Sequence, residues 1–326
     1  MDHAFFGFRQ ALGLLILSIP FTLAAQSTPY PTRSVHLLIP AGAGGGVDTV
    51  ARSLSAPLAL ALGQPVIADN RPGAGTLLAA ELTAKAPPDG YLLLMATNSQ
   101  VINASLHKSL GFDPIHDFST ISFVARLPYL LVIHPGLPVN SVKGLILLAQ
   151  QKPGALDFSS AGSGSGTHLA FELFLAMAHI KASHVPYKSG SAALVDLAGG
   201  QVQMMMSNLI NCISYVRAKR LVALGISTLK PSPLYPQIPT VAASGLPGFS
   251  AEAWYGVLAP SGVPKEILYR LNQEINRILN KPDLRERLAT QGAQVEGSTP
   301  EAFATVFHDE SLKWSRLTRS LALPLQ

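Results

Sequence analysis

The chain has 326 residues, enough for two domains each with its own core. Hydrophobic residues make up 48% and charged residues only 13%, with 27 Gly and 25 Pro, a composition that argues against disorder and for a compact, loop-rich globular protein. The net charge of +5 comes without any lysine or arginine run, so no nucleic-acid partner is expected, and a mildly cationic surface serves at most to draw in anionic solutes.

At the N-terminus, Arg9 precedes an uninterrupted apolar stretch at 11–19, then Pro20 and the small residues before Ala25. The stretch is too short to span a bilayer, and the pattern predicts a secretory signal peptide over residues 1–25. After it, the apolar run 35–39 ends at Pro40, and Gly42, Gly44, Gly45 and Gly46 lead to Asp48 and a helical pattern over 49–62 that stops at Gly63. Strand, glycine loop and helix follow one another, and the free N–H groups of such a helix start attract negative charge. A second strand is expected at 64–68, a turn at Asn70-Arg71-Pro72-Gly73, a helix at 77–86 and a third strand at 91–96 that ends at Thr97-Asn98-Ser99. Alternating strands and helices imply a mainly parallel sheet, with ligands gathered at the C-terminal strand ends.

A second set of units begins with a strand at 130–133, a helix at 141–151 and a strand at 156–160. The strand leads into Ala161-Gly162-Ser163-Gly164-Ser165-Gly166-Thr167, a second glycine-rich junction whose hydroxyls add side-chain donors ahead of a helix over 168–177. Beyond it a strand at 183–186, the loop Tyr187-Lys188, a helix at 192–197 and the run Met204-Met205-Met206 ending at Ser207-Asn208 are expected. Residues 131–145 and 257–271 echo one another as strand, proline turn and helix, which suggests two chain crossings between lobes, near 124–129 and 252–256. Three closing helices, 265–279, 282–291 and 300–320, return to the first lobe. The predicted lobes are therefore residues 28–126 plus 253–326, and residues 127–252.

Two enzymatic readings fail in detail. Asp69 stands where a ribose-binding acid belongs, yet the dinucleotide fingerprint puts Val47 at its third glycine, and neither loop is followed by Gly-Lys-Ser/Thr. A nucleophile elbow needs Gly-x-Ser-x-Gly, and Gly162-Ser163-Gly164-Ser165-Gly166 has glycine at the serine's place. The histidines do not cluster at metal-ligand spacings. No catalytic residue, metal site or cofactor is assigned. Cys212, the only cysteine, reads as a buried small apolar residue. Asp48 is open between ligand contact and helix capping, Arg71 between carboxylate fork and turn anchor, and Tyr30, Tyr187 and Trp254 between pocket wall and core.

The motifs taken together resemble the substrate-binding proteins of tripartite tricarboxylate transporters, the Bug family of periplasmic receptors. The likeness runs through Tyr30-Pro31, residues 40–48, Gly63-Gln64-Pro65-Val66, Asn70-Arg71-Pro72-Gly73-Ala74-Gly75, residues 84–91, His184-Val185-Pro186-Tyr187-Lys188, Gly199-Gly200-Gln201-Val202, Pro239-Thr240-Val241 and residues 245–249. The resemblance implies a two-lobed α/β periplasmic-binding-protein fold of the Venus-flytrap, type II-like kind, closing on a small carboxylated solute. It implies a carboxylate pincer of Ala43, Gly44, Gly45, Gly46, Val47 and Asp48 from one lobe and Ser160, Gly162, Ser163, Gly166, Thr167 and His168 from the other. Thr97, Asn98, Ser99, Tyr187, Lys188, Ser207 and Asn208 would be the selective positions. Ala43 departs from the family's usual proline, which predicts a looser first loop, and Ser207 departs from its common acid, which predicts less preference for an amino-group ligand. The implied function is capture of a carboxylate by a periplasmic monomer and delivery to a membrane permease. A module that presents its closed form to a signalling partner and a secreted hydrolase are the alternatives.

Overall fold

A computed structural model describes residue 1, residues 30–107 and residues 110–320. The expected signal peptide, apart from Met1, lies outside the described residues. The elements, in chain order, are strand β1 (Val35–Ile39), helix α1 (Gly46–Leu62), β2 (Val66–Asn70), a 3-10 turn (Ala74–Thr76), α2 (Leu77–Ala84), β3 (Leu92–Thr97), α3 (Asn98–Leu106), β4 (Phe118–Ile133), α4 (Val142–Gln151) and β5 (Asp157–Ser160). Then come α5 (Gly166–Ala178), β6 (Ser183–Pro186), α6 (Gly190–Ala198), β7 (Met204–Asn208), α7 (Leu209–Arg217), β8 (Val222–Ile226), β9 (Glu252–Pro260), α8 (Lys265–Leu279), α9 (Pro282–Ala289), β10 (Gln294–Val295) and α10 (Pro300–Ser320).

The fold is two-lobed α/β, and its strands run in the order β2-β1-β3-β9-β4-β7-β5-β6, with β8 and β10 also pairing with β4. The expected parallel pairing holds within each half, as β1 runs parallel to β2 and β3, and β5 parallel to β6 and β7. Between these parallel sets lie antiparallel strands: β9 pairs with β3 and β4, and β4 pairs with β7. The sheet is thus mixed. The stretches expected as crossings lie within strands β4 and β9, and residues 118–128 of β4 pair with β9 while residues 129–133 pair with β7. The strand thus runs from one half of the sheet into the other without a break.

Packing follows the apolar pattern. One core gathers Leu130 and Val132 of β4, Ala193, Leu194 and Leu197 of α6, Met205 of β7, and Leu209, Cys212 and Ile213 of α7. Cys212 is fully buried there, and burial pushes its thiol up to about 12, so it packs as the expected small apolar residue. In the other half α10 lies on the sheet through an aromatic cluster of Phe123, Trp254, Phe303 and Phe307, with Trp254 and Phe303 edge-to-face at 5.9 Å. Trp254 is therefore core. Gly256 is what lets this helix so close to β9, since a Cβ there would run into the Phe303 ring.

Candidate functional site

The glycine loops end where the two halves meet. The first delivers α1 with Gly45 as its N-cap, and no side chain caps that helix start. The second delivers α5, capped by Ser165, whose hydroxyl accepts from the His168 N–H. Two further helix starts were not foreseen. Thr97-Asn98-Ser99, expected as a strand end, opens α3, and Asn208 opens α7; neither has a side-chain cap. With Gly190 at the start of α6, the first turns of five helices border one small cavity of about 60 Å3.

Of the residues singled out in the sequence, Gly45, Gly46, Val47, Thr97, Asn98, Ser99, Gly166, Thr167 and Asn208 line that cavity. Ala41, Thr76, Tyr129, Ala161, Ser165, Gly190, Asn211, Ala253 and Tyr255 complete it. None of these residues carries a charged side chain. The polarity comes from main-chain N–H groups, hydroxyls and amides, and the buried Thr76 Oγ1, Thr97 Oγ1 and Asn208 Oδ1 have no hydrogen-bond partner among the described residues. Polar atoms left without a protein partner at a cavity wall are free to hydrogen-bond a bound solute or water.

The floor is made by two tyrosines that local sequence could not single out. Strand register sets Tyr129 of β4 opposite Asn208 and Tyr255 of β9 opposite Thr97. Both rings are buried, and burial raises both phenols well above their ordinary range, so each remains a neutral hydroxyl. The Tyr129 hydroxyl abuts Gly166, and the Tyr255 hydroxyl lies 3.0 Å from where a Gly46 Cβ would stand.

Several predicted contacts serve the loops instead. Asp48 is buried, and its carboxylate accepts from the Gly44 N–H, the Arg52 Nε and the Asn70 Nδ2, each at 2.9 Å. Burial works to raise the Asp48 carboxyl, but these donors outweigh it and hold it below its ordinary range. Asp48 is thus the clamp of the first loop and lines neither cavity. Ala43 and Gly44 are exposed, with the Ala43 carbonyl accepting from Ser191 Oγ at 3.5 Å. Arg71 pairs with Asp69 at 2.9 Å and is half exposed, a turn anchor.

In the second loop Ser160 Oγ accepts from the Gly162 N–H at 3.1 Å and shares a 2.7 Å hydrogen bond with His184 Nε2. His168 Nδ1 accepts from the Gly164 N–H, which places the imidazole proton on Nε2, 3.4 Å from Glu172. The His168 and His184 rings stack at 3.9 Å, and Phe158 stacks on His184 at 4.9 Å. Ser160 and His168 therefore shape the loop without lining the cavity. Ser207 is fully buried and donates weakly to the Asn208 carbonyl.

Gly162, Ser163, Tyr187 and Lys188 line a second, larger space of about 550 Å3, which shares Ala41, Thr76, Ala161 and Ser165 with the inner cavity. Tyr187 donates to Asp196 at 2.7 Å, and burial followed by that carboxylate pushes its phenol up to about 12. The exposed Lys188 is the cation of this vestibule, and His107 also borders it. Among the described residues no group of His, Cys, Asp and Glu is arranged to hold a metal. No helix among them is long and apolar enough to cross a membrane.

Comparison with known proteins agrees with this geometry. The model of the tripartite tricarboxylate transporter family receptor, TctC, matches residues 50–323. A UPF0065 protein of the tcbD-tcbE intergenic region of Pseudomonas sp. strain P51 is 36% identical over 97% of this chain and 95% of its own. Among solved structures, Rpa4515 of R. palustris with adipate superposes with a TM-score of 0.86 at 34% identity, covering 90% of this chain and 98% of that one. The periplasmic binding protein BugD superposes with a TM-score of 0.87 at 30% identity over 91% and 100% of the two chains.

Proposed function

Because this chain belongs to the tripartite tricarboxylate transporter receptor family, TctC, we propose that it captures a small carboxylated solute between its lobes and delivers it to a tripartite permease. One observation carries the reading: five helix starts converge on a cavity lined by no charged side chain. Each helix start presents free N–H groups and the positive end of its dipole, worth about 0.3–1 kcal/mol toward an anion at a surface and up to about 2 kcal/mol when partly buried. A cation in the cavity would meet the wrong sign of field from every side.

The carboxylate is held by main-chain groups of Gly45, Gly46, Val47, Gly166 and Thr167, with the hydroxyls of Thr97, Tyr129 and Tyr255 as neutral donors. The rest of the solute points past Thr76 into the vestibule, where Lys188 meets a second anionic group. With Ser207 in place of an acid, the cavity offers no carboxylate to an ammonium, so plain carboxylates bind ahead of amino acids. The lobes are residues 28–126 plus 253–326, and 127–252, a division supported by the change of partner along β4. Closure is a hinge motion that the ligand stabilises by touching both lobes. The protein acts in the periplasm after removal of residues 1–25, as a monomer, and carries no catalytic machinery.

The test is a thermal-shift panel of mono-, di- and tricarboxylates and amino acids on the mature chain. A ligand at a hundred times its Kd stabilises the folded state by about 2.7 kcal/mol, a shift of several degrees. A Cβ at Gly45 would meet only the Gly42 carbonyl, at 3.6 Å, so Gly45→Leu is expected to fold and to lose the shift. No shift with any organic anion, or an unaltered shift in Gly45→Leu, rejects the assignment.

A further inference from the structure

The segment between the two cavities is conformationally unusual. Gly73, Ala74, Gly75 and Thr76 have φ values of 149°, 45°, 60° and 89°, four consecutive residues on the positive side. Two of them carry side chains that disfavour this region, so the surroundings must hold the segment in place. Thr76 borders both cavities, and Gly73, Ala74 and Gly75 border the vestibule, so the segment forms the partition between them.

What holds it is Asn103, a fully buried residue of α3. Its Nδ2 donates to the Gly75 carbonyl on this strap and to the Gly164 carbonyl in the second glycine loop, both at 2.7 Å. The strap and that loop also touch backbone to backbone. A Cβ on Gly75 would stand 2.8 Å from the Ser163 carbonyl and 3.0 Å from the Gly164 Cα. One amide thus ties the strap that follows β2 to the loop that follows β5. Asn103 itself does not line the cavity, whereas the orphaned Thr76 hydroxyl on the strap does.

We propose that Asn103 latches the strap of residues 73–76 to the second glycine loop, setting the population of the closed form and so the affinity for ligand, while Thr76 carries the strap's contact with the ligand. The proposal rests on the receptor reading above for its ligand, but the latch acts before any ligand arrives. When only the closed form is competent, the apparent Kd is the intrinsic Kd divided by the closed fraction. Losing the one hydrogen bond that crosses the cleft, from Asn103 to the Gly164 carbonyl, should lower that fraction, and raise Kd, by about tenfold.

Three variants of the mature chain test it: Asn103→Leu, Gly75→Ala, and the two combined. Small-angle scattering without ligand is expected to give a larger radius of gyration for all three than for the parent. Calorimetric titration with adipate is expected to show Kd raised about tenfold in each single variant, with faster dissociation. The double variant should fall within about twofold of the weaker-binding single one, because both changes break the same latch. Thr76→Val should weaken adipate binding while leaving the unliganded radius unchanged. An unchanged radius in Asn103→Leu and Gly75→Ala overturns the latch, and so do additive penalties in the double variant. If the parent does not bind adipate, the ligand assignment fails there while the scattering comparison still decides the latch. If Asn103→Leu does not fold, Gly75→Ala, altered at a partly exposed glycine, decides it alone.

Discussion

The two glycine loops aim helix starts at the same cavity and are stiffened by opposite chemistry. In the first, a buried carboxylate gathers donors: Asp48 takes the Gly44 N–H, Arg52 and Asn70, and Asn70 in turn holds the Ala41 carbonyl at 2.9 Å. In the second, hydroxyls and imidazoles do the holding. Thr167 Oγ1 accepts from the Ala161 N–H at 2.9 Å, and Ser160 and His168 fix Gly162 and Gly164. An anion site can be built on either scaffold because the helix start supplies the field and the side chains only position it. The negative charge of Asp48 sits behind its loop, spent on N–H groups and a guanidinium, and so does not repel the ligand in front. Similar loops should therefore fail in different ways.

The largest difference is expected at the glycines where each helix begins. A Cβ on Gly166 would overlap the Tyr129 hydroxyl and stand 3.1 Å from Asn98 Oδ1, whereas one on Gly46 would meet the Tyr255 hydroxyl at 3.0 Å and Ile210 Cγ2 at 3.2 Å. Tyr129 is only 1% exposed and has nowhere to retreat except into the cavity. Gly166→Ala is expected to lose carboxylate affinity by more than about a hundredfold, or about 2.7 kcal/mol, and Gly46→Ala by about tenfold. Calorimetry on the two variants checks the order. Equal losses would mean that the two loops are equally compliant.

How much of this was legible in the chain follows the same division between local and distant causes. The loops announce themselves because glycine, serine and an apolar strand stand next to one another. The closing helices at 265–279 and 300–320 have the expected bounds because their apolar stripes face one side. Helix α3 escaped notice because Asn98, Ser99, Gln100 and Asn103 are buried, so its inward face is polar and breaks the apolar period. Tyr129 and Tyr255 sit within apolar runs, and only their register against Asn208 and Thr97 brings them to the site. The stretches read as crossings lie within strands β4 and β9, and a strand that changes partners halfway leaves no local mark in the sequence. Helix α7 and strand β8 were not foreseen at all. Asp48 and Arg71 were each left with two roles; the distant Asn70, with Gly44 and Arg52, turns Asp48 to the loop, and Arg71 pairs locally with Asp69.

A smaller effect separates the scaffolds themselves. Asp48→Asn keeps the shape of the side chain, removes the charge that gathers three donors, and turns one acceptor oxygen into a donor facing others. Hydrogen bonds to a charged group are worth about 1.5–3 kcal/mol, and Arg52 is half exposed, so a loss of about 2 kcal/mol in urea unfolding is expected. Ser160→Ala, which removes a neutral hydroxyl from the second loop, should cost about 1 kcal/mol. If the two losses are equal, the charge on Asp48 adds nothing to the clamp.

The smallest effect at neutral pH is the one that acid brings out. Burial, and then the neighbouring His168, push the His184 imidazole down to about 4 from an ordinary 6.5. In the unfolded chain His184 takes up its proton near 6.5, while in the folded chain it stays neutral until about 4. Over that interval the unfolded state binds more protons, so stability falls as pH drops from 6.5 toward 4 and levels off below. Asp48 has the opposite disposition, held below its ordinary 3.8, so the first loop's clamp is intact over the same interval and is lost only at lower pH. At pH 5 the second scaffold should therefore contribute less to the unfolding free energy, while the contribution of the first is unchanged. His184→Gln retains a donor for Ser160 but cannot titrate, and it is expected to flatten the decline of unfolding free energy between pH 6.5 and 4.5 while changing little at pH 7.5. An unaltered slope in that variant would place the proton uptake elsewhere and leave the two loops alike in their response to acid.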